Sequence, residues 1–212
     1  ADVDAACPPV FTAHDAPTAW RDAATAALAA LPTGSAPALP TLLVGISEGA
    51  ELLPHVAASM SNASGVVMVS ASGLDPATAG AAHAEHIGQS AAWDALRAAQ
   101  ASNLPDDHLV QGRTLRYWRD FWQWPLAAPL VSGPWPLLRV WGDADSTLPT
   151  TAYLLFNPFA SDRKAGYCDV RLRDADHALQ TAEKDGIQWL WSQLERWAHQ
   201  PDTHLCDVVS AP

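Results

Sequence analysis

The sequence predicts an α/β fold, a mostly parallel sheet with helices on its faces. Three observations predict it. Four short apolar runs without polar alternation recur along the chain, as strands buried on both faces do. Segments with helical spacing separate these runs, and that alternation builds parallel sheets. The 212 residues, 49% of them apolar, suffice for one domain with a sizeable core, so residues 1–212 are read as a single domain.

Residues 1–14 read as irregular, broken by Cys7-Pro8-Pro9. Asp15 can cap a helix that begins near Ala16-Pro17, because proline is tolerated in a first turn. Trp20, Ala24, Ala27, Leu28 and Leu31 give that helix its apolar face, and Pro32, Gly34 and Pro37 end it. Residues 41–46 form the first buried strand. It runs into Gly45-Ile46-Ser47-Glu48-Gly49, and a helix follows from about Glu48 to Ser59. This is the form of a nucleophile elbow, in which a strand delivers a serine onto a sharp turn and the next helix points its N-terminus at the hydroxyl. Gly45 and Gly49 are expected where a Cβ would collide with a neighbouring element.

Val66 to Ser70 is the second strand, ended by Ser72-Gly73. A non-strand region follows over 74–134. It holds an alanine-rich helix (about 77–101) and an aromatic helix from Leu115 to Trp124, with Pro125, Pro129, Pro134 and Pro136 making an irregular exit. Leu137 to Trp141 is the third strand and leads into Gly142-Asp143-Ala144-Asp145. A helical piece lies near 150–160. Tyr167 to Leu172 is the fourth strand and leads into Asp174-Ala175-Asp176-His177. The last helix spans about Ala182 to Ala198, with Ile187, Leu190, Trp191, Leu194 and Trp197 on one face.

Composition excludes several classes. The net charge is -11 with only two lysines, so no basic patch exists to neutralise phosphates and nucleic-acid binding is not expected. Arg113, Arg116 and Arg119 read as one solvated helix face. No apolar run reaches the roughly 18 residues of a membrane span, and no signal-peptide pattern begins the chain. The three cysteines, Cys7, Cys168 and Cys206, have no zinc-like spacing, and no metal or organic cofactor is expected.

In a parallel sheet the functional groups gather at the carboxyl ends of the strands. Ser47 follows the first strand, Asp145 the third and His177 the fourth, giving the chain order Ser, Asp, His. The segments 44–50, 140–145 and 174–179 that carry this order resemble the α/β-hydrolase superfamily, closest to its bacterial esterase, dienelactone-hydrolase-like and serine-peptidase-like branches. The resemblance spans about Trp20 to Trp197. It implies Ser47 as nucleophile, His177 as general base, Asp145 as the acid that orients it, and the Glu48 N–H as an oxyanion donor. Asp143 is the alternative acid, although members of the superfamily usually place the acid three residues after the glycine. Asp176 could support the loop but reads as surface-facing. The other seven histidines lack such a context.

The superfamily often carries a cap at the position of residues 74–134. Trp118, Phe121, Trp122 and Trp124 then read either as an apolar substrate wall or as packing of the cap onto the sheet. Neither alternative favours a charged substrate. The expected activity is cleavage of a small-molecule carboxylic ester, with peptide or amide cleavage, or a non-catalytic or partner-dependent subunit, as the alternatives.

Only 46 residues precede Ser47, and ahead of the nucleophile strand they supply one helix and a loop. The strands that usually lie beside the nucleophile strand are missing, and so is the loop that donates the second oxyanion N–H. The nucleophile strand would be an exposed apolar edge. A second copy, a bound N-terminal fragment, or substitutes from residues 1–14 or the cap could cover it. The last strand and last helix should run in opposite directions, which places Cys168 and Cys206 at one end of the sheet and allows a disulfide there. That pairing implies an oxidising location, secreted or periplasmic. Three reduced cysteines in the cytoplasm are the alternative. Cys7 would be free or bonded to another chain.

Overall fold

The computed structural model describes residues 8–31, 39–201 and 203–209. Cys7 lies outside them. The elements in chain order are α1 (Pro9–His14), α2 (Pro17–Ala29), β1 (Thr41–Ile46), a 3-10 helix (Ser47–Leu52), α3 (Leu53–Ala58), β2 (Ala63–Val69), α4 (Pro76–His86), α5 (Ser90–Gln100), β3 (Leu109–Val110), β4 (Arg113–Thr114), α6 (Leu115–Gln123), α7 (Ala127–Ser132), β5 (Leu137–Gly142), α8 (Thr150–Leu154), α9 (Asn157–Ala160), β6 (Tyr167–Leu172), α10 (Gly186–His199) and α11 (Leu205–Val208).

The main sheet has the order β1-β2-β5-β6, and every pairing in it is parallel. Alternation along the strands feeds two cores. Val66, Met68 and Leu137 pack on one face with Leu53, Val56, Leu130 and Phe156. Val67, Val69, Leu138 and Val140 pack on the other with Leu190, Leu194, Trp197 and Leu205. Among the described residues β1 has one neighbour, β2, so it is a sheet edge, with Ile46 exposed. No helix among the described residues is long and apolar enough to cross a membrane.

Several elements differ from the sequence reading. Residues 9–14 are helical rather than irregular. The helix after Ser47 opens as a 3-10 turn before becoming α-helical at Leu53. The single alanine-rich helix is two, because Gly88 takes a left-handed φ of 71° between α4 and α5. The non-strand region contains a two-stranded antiparallel pair, β3 and β4, turned by Gln111 (φ 50°) and Gly112 (φ 79°). Positive φ at both turn positions suits the right-handed twist of a tight hairpin. The last helix starts at Gly186, four residues late, because Gln180 pairs with Asp185 and the Asp185 side chain caps the helix by accepting from the Gln188 N–H.

Cys168, the second residue of β6, is bonded to Cys206 in α11, with the Cα atoms 5.6 Å apart. The bridge closes a 38-residue separation at the end of the sheet away from Ser47, Asp145 and His177. It anchors α11, whose Leu205 is buried in the second core.

Candidate active site

The site is built where β1, β2, β5 and β6 end. Ser47, the first residue after β1, has φ 53°, a left-handed conformation that a non-glycine residue adopts only when its surroundings hold it there. Close packing makes that turn possible. A Cβ on Gly45 would lie 2.7 Å from Ala50 Cα and from the Gly49 carbonyl oxygen. Gly49 itself has open space where its Cβ would be, so the steric role expected of it falls to Gly45 alone.

The structure brings Ser47, His177 and Asp145 together. Ser47 Oγ lies 2.9 Å from His177 Nε2, and His177 Nδ1 lies 2.7 Å from Asp145 Oδ2. With Nδ1–H donating to the carboxylate, Nε2 keeps its lone pair for the serine hydroxyl. Asp145 is buried, and each of its oxygens is occupied. Oδ1 accepts from the backbone N–H groups of Thr147 and Leu148 at 2.7 and 3.1 Å. Oδ2 accepts from His177 and from the Tyr153 hydroxyl at 2.6 Å. Burial alone would raise this carboxyl. The hydrogen bonds from His177, Tyr153, Leu148 and Thr147 outweigh it and hold Asp145 below the usual carboxylate range. Burial and the bond to Asp145 push the Tyr153 hydroxyl far up, so it stays a donor.

Asp143 is elsewhere. It accepts from the Asp174 N–H at 2.6 Å and pairs with Arg171 at 2.7 Å, so it ties β5 to the loop after β6. That loop carries His177 and is fixed from three sides. Exposed Asp176 accepts from the N–H groups of Ala178 and Gln180, so it pins the loop as well as facing solvent. Ser70 Oγ donates to the His177 carbonyl at 2.7 Å. Gly142 lets the loop approach, since a Cβ there would run into the Ala175 carbonyl.

A cavity of about 170 Å³ opens beside Ser47 and His177, between the 3-10 helix, the end of β2, α4 and α6. Of the four aromatic residues expected to form a substrate wall, Phe121 alone lines it. Trp118 donates to the Val110 carbonyl, Trp122 stacks on Trp93 at 4.8 Å, and buried Trp124 donates to the Glu51 carbonyl and packs against His55. These three hold the insertion together and fasten it to the elbow. Spacing on a helix could not separate them from Phe121, because the cavity admits one side of α6 only.

Reading the arginines as a solvated face also fails for two of them. Arg113 is on β4 and bridges Asp15 (3.2 Å) and Glu48 (3.0 Å), with its guanidinium 3.9 Å from the Tyr117 ring centre. Arg119 donates to the carbonyls of Gln100, Ser102 and Leu104. The Tyr117 hydroxyl donates to Glu48, so the residue after Ser47 is held through its side chain by the insertion. Glu51 also lines the cavity. Burial, then the charge of Glu48, push its carboxyl up to about 8. Glu51, Tyr153, Arg113 and Tyr117 were missed in the sequence, where no motif marks them. Among the described residues no group of His, Cys, Asp or Glu is arranged to hold a metal ion.

Solved structures similar to this one share this architecture. The esterase domain of a Rhodothermus marinus protein matches with a TM-score of 0.55 and 19% identity, over 90% of this chain and 72% of that one. The fold is that of the α/β-hydrolases. Mouse α/β-hydrolase domain-containing protein 10 matches with a TM-score of 0.59 and 16% identity, over 89% of this chain and 71% of that one. Est1E from Butyrivibrio proteoclasticus matches with a TM-score of 0.57 and 17% identity, over 78% of this chain and 64% of that one. No family model matches the sequence, and no curated protein matches it.

Proposed function

We propose that this α/β-hydrolase-fold protein is a serine hydrolase that cleaves small carboxylic esters through an acyl-enzyme on Ser47. The observation that carries the reading is the unbroken relay from Ser47 Oγ through His177 to a buried Asp145, at 2.9 and 2.7 Å. A serine hydroxyl is a weak nucleophile at neutral pH and needs an adjacent base. Ser47 Oγ attacks the ester carbonyl as His177 Nε2 takes its proton. Asp145 stabilises the imidazolium. The tetrahedral oxyanion is met by the Glu48 N–H. Its collapse breaks the bond to the leaving alkoxide, which receives the proton from His177. Water, deprotonated by His177, then attacks the acyl-enzyme, and Ser47 leaves with that proton.

The cavity of about 170 Å³ suits a short acyl chain or an aryl group. Residues 74–134 act as its cap in this reading. Est1E has been solved with ferulic acid bound, so an aryl ester belongs in the substrate panel. One observation favours a second reading. Among the described residues no strand lies beyond β1 to bring a second oxyanion donor, and loss of one donor typically lowers turnover about 10²–10³-fold. A subunit that needs a partner to complete the hole would share the relay.

A fluorophosphonate probe tests the proposal. Labelling of the folded protein that disappears in Ser47→Ala supports it. A folded protein that takes no label supports the partner-dependent reading. Faster turnover of aminoacyl anilides than of p-nitrophenyl esters would make the enzyme a peptidase instead.

A further inference from the structure

The cavity beside Ser47 holds one charge-bearing group that the mechanism does not use. Glu51 sits four residues beyond the serine, and its carboxyl has no hydrogen-bond partner among the described residues. The carboxylates around it are not balanced. Asp15 and Glu48 share a single guanidinium, that of Arg113, and Glu51 lies beside Glu48 without a cation of its own. Arg113 is spent on Asp15 and Glu48, and Glu48 is further occupied by Tyr117. The other titratable groups nearby are also engaged. His83 faces the cavity but binds the Thr147 carbonyl through Nδ1, His177 belongs to the relay, His55 binds the Pro125 carbonyl, and Arg21 pairs with Asp22. Ala71, Pro76, Ala79, Phe121 and Leu148 leave most of the remaining wall apolar.

A half-buried carboxyl with no hydrogen-bond partner gives up part of its hydration when ionised. A cation brought into contact compensates for that, because the pair forms against apolar walls where solvent screens it less than in open water. An apolar wall with one aromatic ring also suits the alkyl groups of a substituted ammonium. We propose that this cavity is a subsite for a cationic nitrogen of the substrate, with Glu51 as its counter-ion; the proposal rests on the hydrolase reading above. No bond changes at this subsite. The substrate keeps its charge, and any proton on Glu51 is released to solvent as the cation binds.

The test compares two esters of one shape. Butyrylcholine carries a quaternary nitrogen, and 3,3-dimethylbutyl butyrate replaces it by carbon. Acid release in a pH-stat measures kcat/KM for each with wild type and Glu51→Gln. The expected result is a preference of at least tenfold for the cationic ester in wild type, falling to near onefold in the variant. Tetramethylammonium should compete with the neutral ester in wild type and lose at least tenfold in inhibition constant in the variant. A wild-type ratio near one, or a ratio the substitution leaves unchanged, overturns the subsite while turnover of the neutral ester keeps the hydrolase reading. No turnover of either ester, with Ser47 unlabelled by fluorophosphonate, overturns both.

Discussion

Asp145 has no solvent to stabilise its charge, so its four hydrogen-bond donors set what it can do. Replacing it by asparagine changes the tautomer offered by His177, and losses of this kind lower turnover by about 10⁴. Asp145→Asn and His177→Ala are therefore expected to bring p-nitrophenyl ester turnover down by about that factor. Asp143→Asn is expected to change it by less than about threefold, since Asp143 acts through Arg171 and the Asp174 N–H. The reverse ranking would exchange the two aspartates' roles. Tyr153→Phe removes one of the donors to Asp145. A hydrogen bond to a charged group contributes about 1.5–3 kcal/mol, so kcat should fall about tenfold or more with KM little altered. Glu51 obeys the opposite linkage. Its folded carboxyl binds a proton more tightly than the unfolded one, so its ionisation destabilises the fold progressively as pH rises from the ordinary carboxylate range to about 8. Glu51→Gln should therefore gain Tm over wild type between pH 5 and pH 9. Thermal scans in which the difference stays constant would contradict that burial.

Elements whose identity rests on local spacing were legible in the sequence. The four main strands were placed within three residues of their observed bounds, because an apolar run of that length between turn residues leaves few alternatives. The order Ser47, Asp145, His177 was legible for the same reason, since each follows a strand. Elements that depend on distant partners were not. Asp120 of α6 accepts from both the backbone N–H and the hydroxyl of Thr18 at the start of α2, a contact no local pattern announces. The same holds for Arg113 reaching Glu48 and for Tyr153 reaching Asp145. Gly142 shows what such closeness requires. The end of β5 touches the backbone of the loop after β6 so closely that a methyl group would strike the Ala175 carbonyl. Overpacking against a yielding side chain costs about 1–3 kcal/mol, and here the neighbour is backbone. Gly142→Ala is expected to lower stability by at least that much and to slow fluorophosphonate labelling by moving His177 away from Ser47. A variant that labels at the wild-type rate would show that the loop can give way.

Across the whole molecule, the residues of the candidate site and the bond that cross-links the chain sit at opposite ends of the sheet. Ser47, Ser70, Asp145 and His177 follow the carboxyl ends of β1, β2, β5 and β6, whereas Cys168 lies at the start of β6 and joins it to α11. Parallel strands enforce this separation, because every strand starts at the same edge and finishes at the other. The disulfide should therefore act on stability and leave the site alone. Closing a separation of 38 residues restricts the unfolded chain by about 4 kcal/mol in the chain-entropy treatment. For a domain of this size each kcal/mol moves Tm by about 2–4 °C, so Cys206→Ser is expected to lower Tm by roughly 8–16 °C. Its kcat and KM, measured well below the transition, should match wild type within about twofold. Calorimetry and ester kinetics on the same preparation separate the two effects. A variant with unchanged Tm would mean that α11 is held by Leu205 and Val209 in the core without its covalent tie. A variant with altered kcat would mean that strain passes along β6 from the disulfide to the His177 loop.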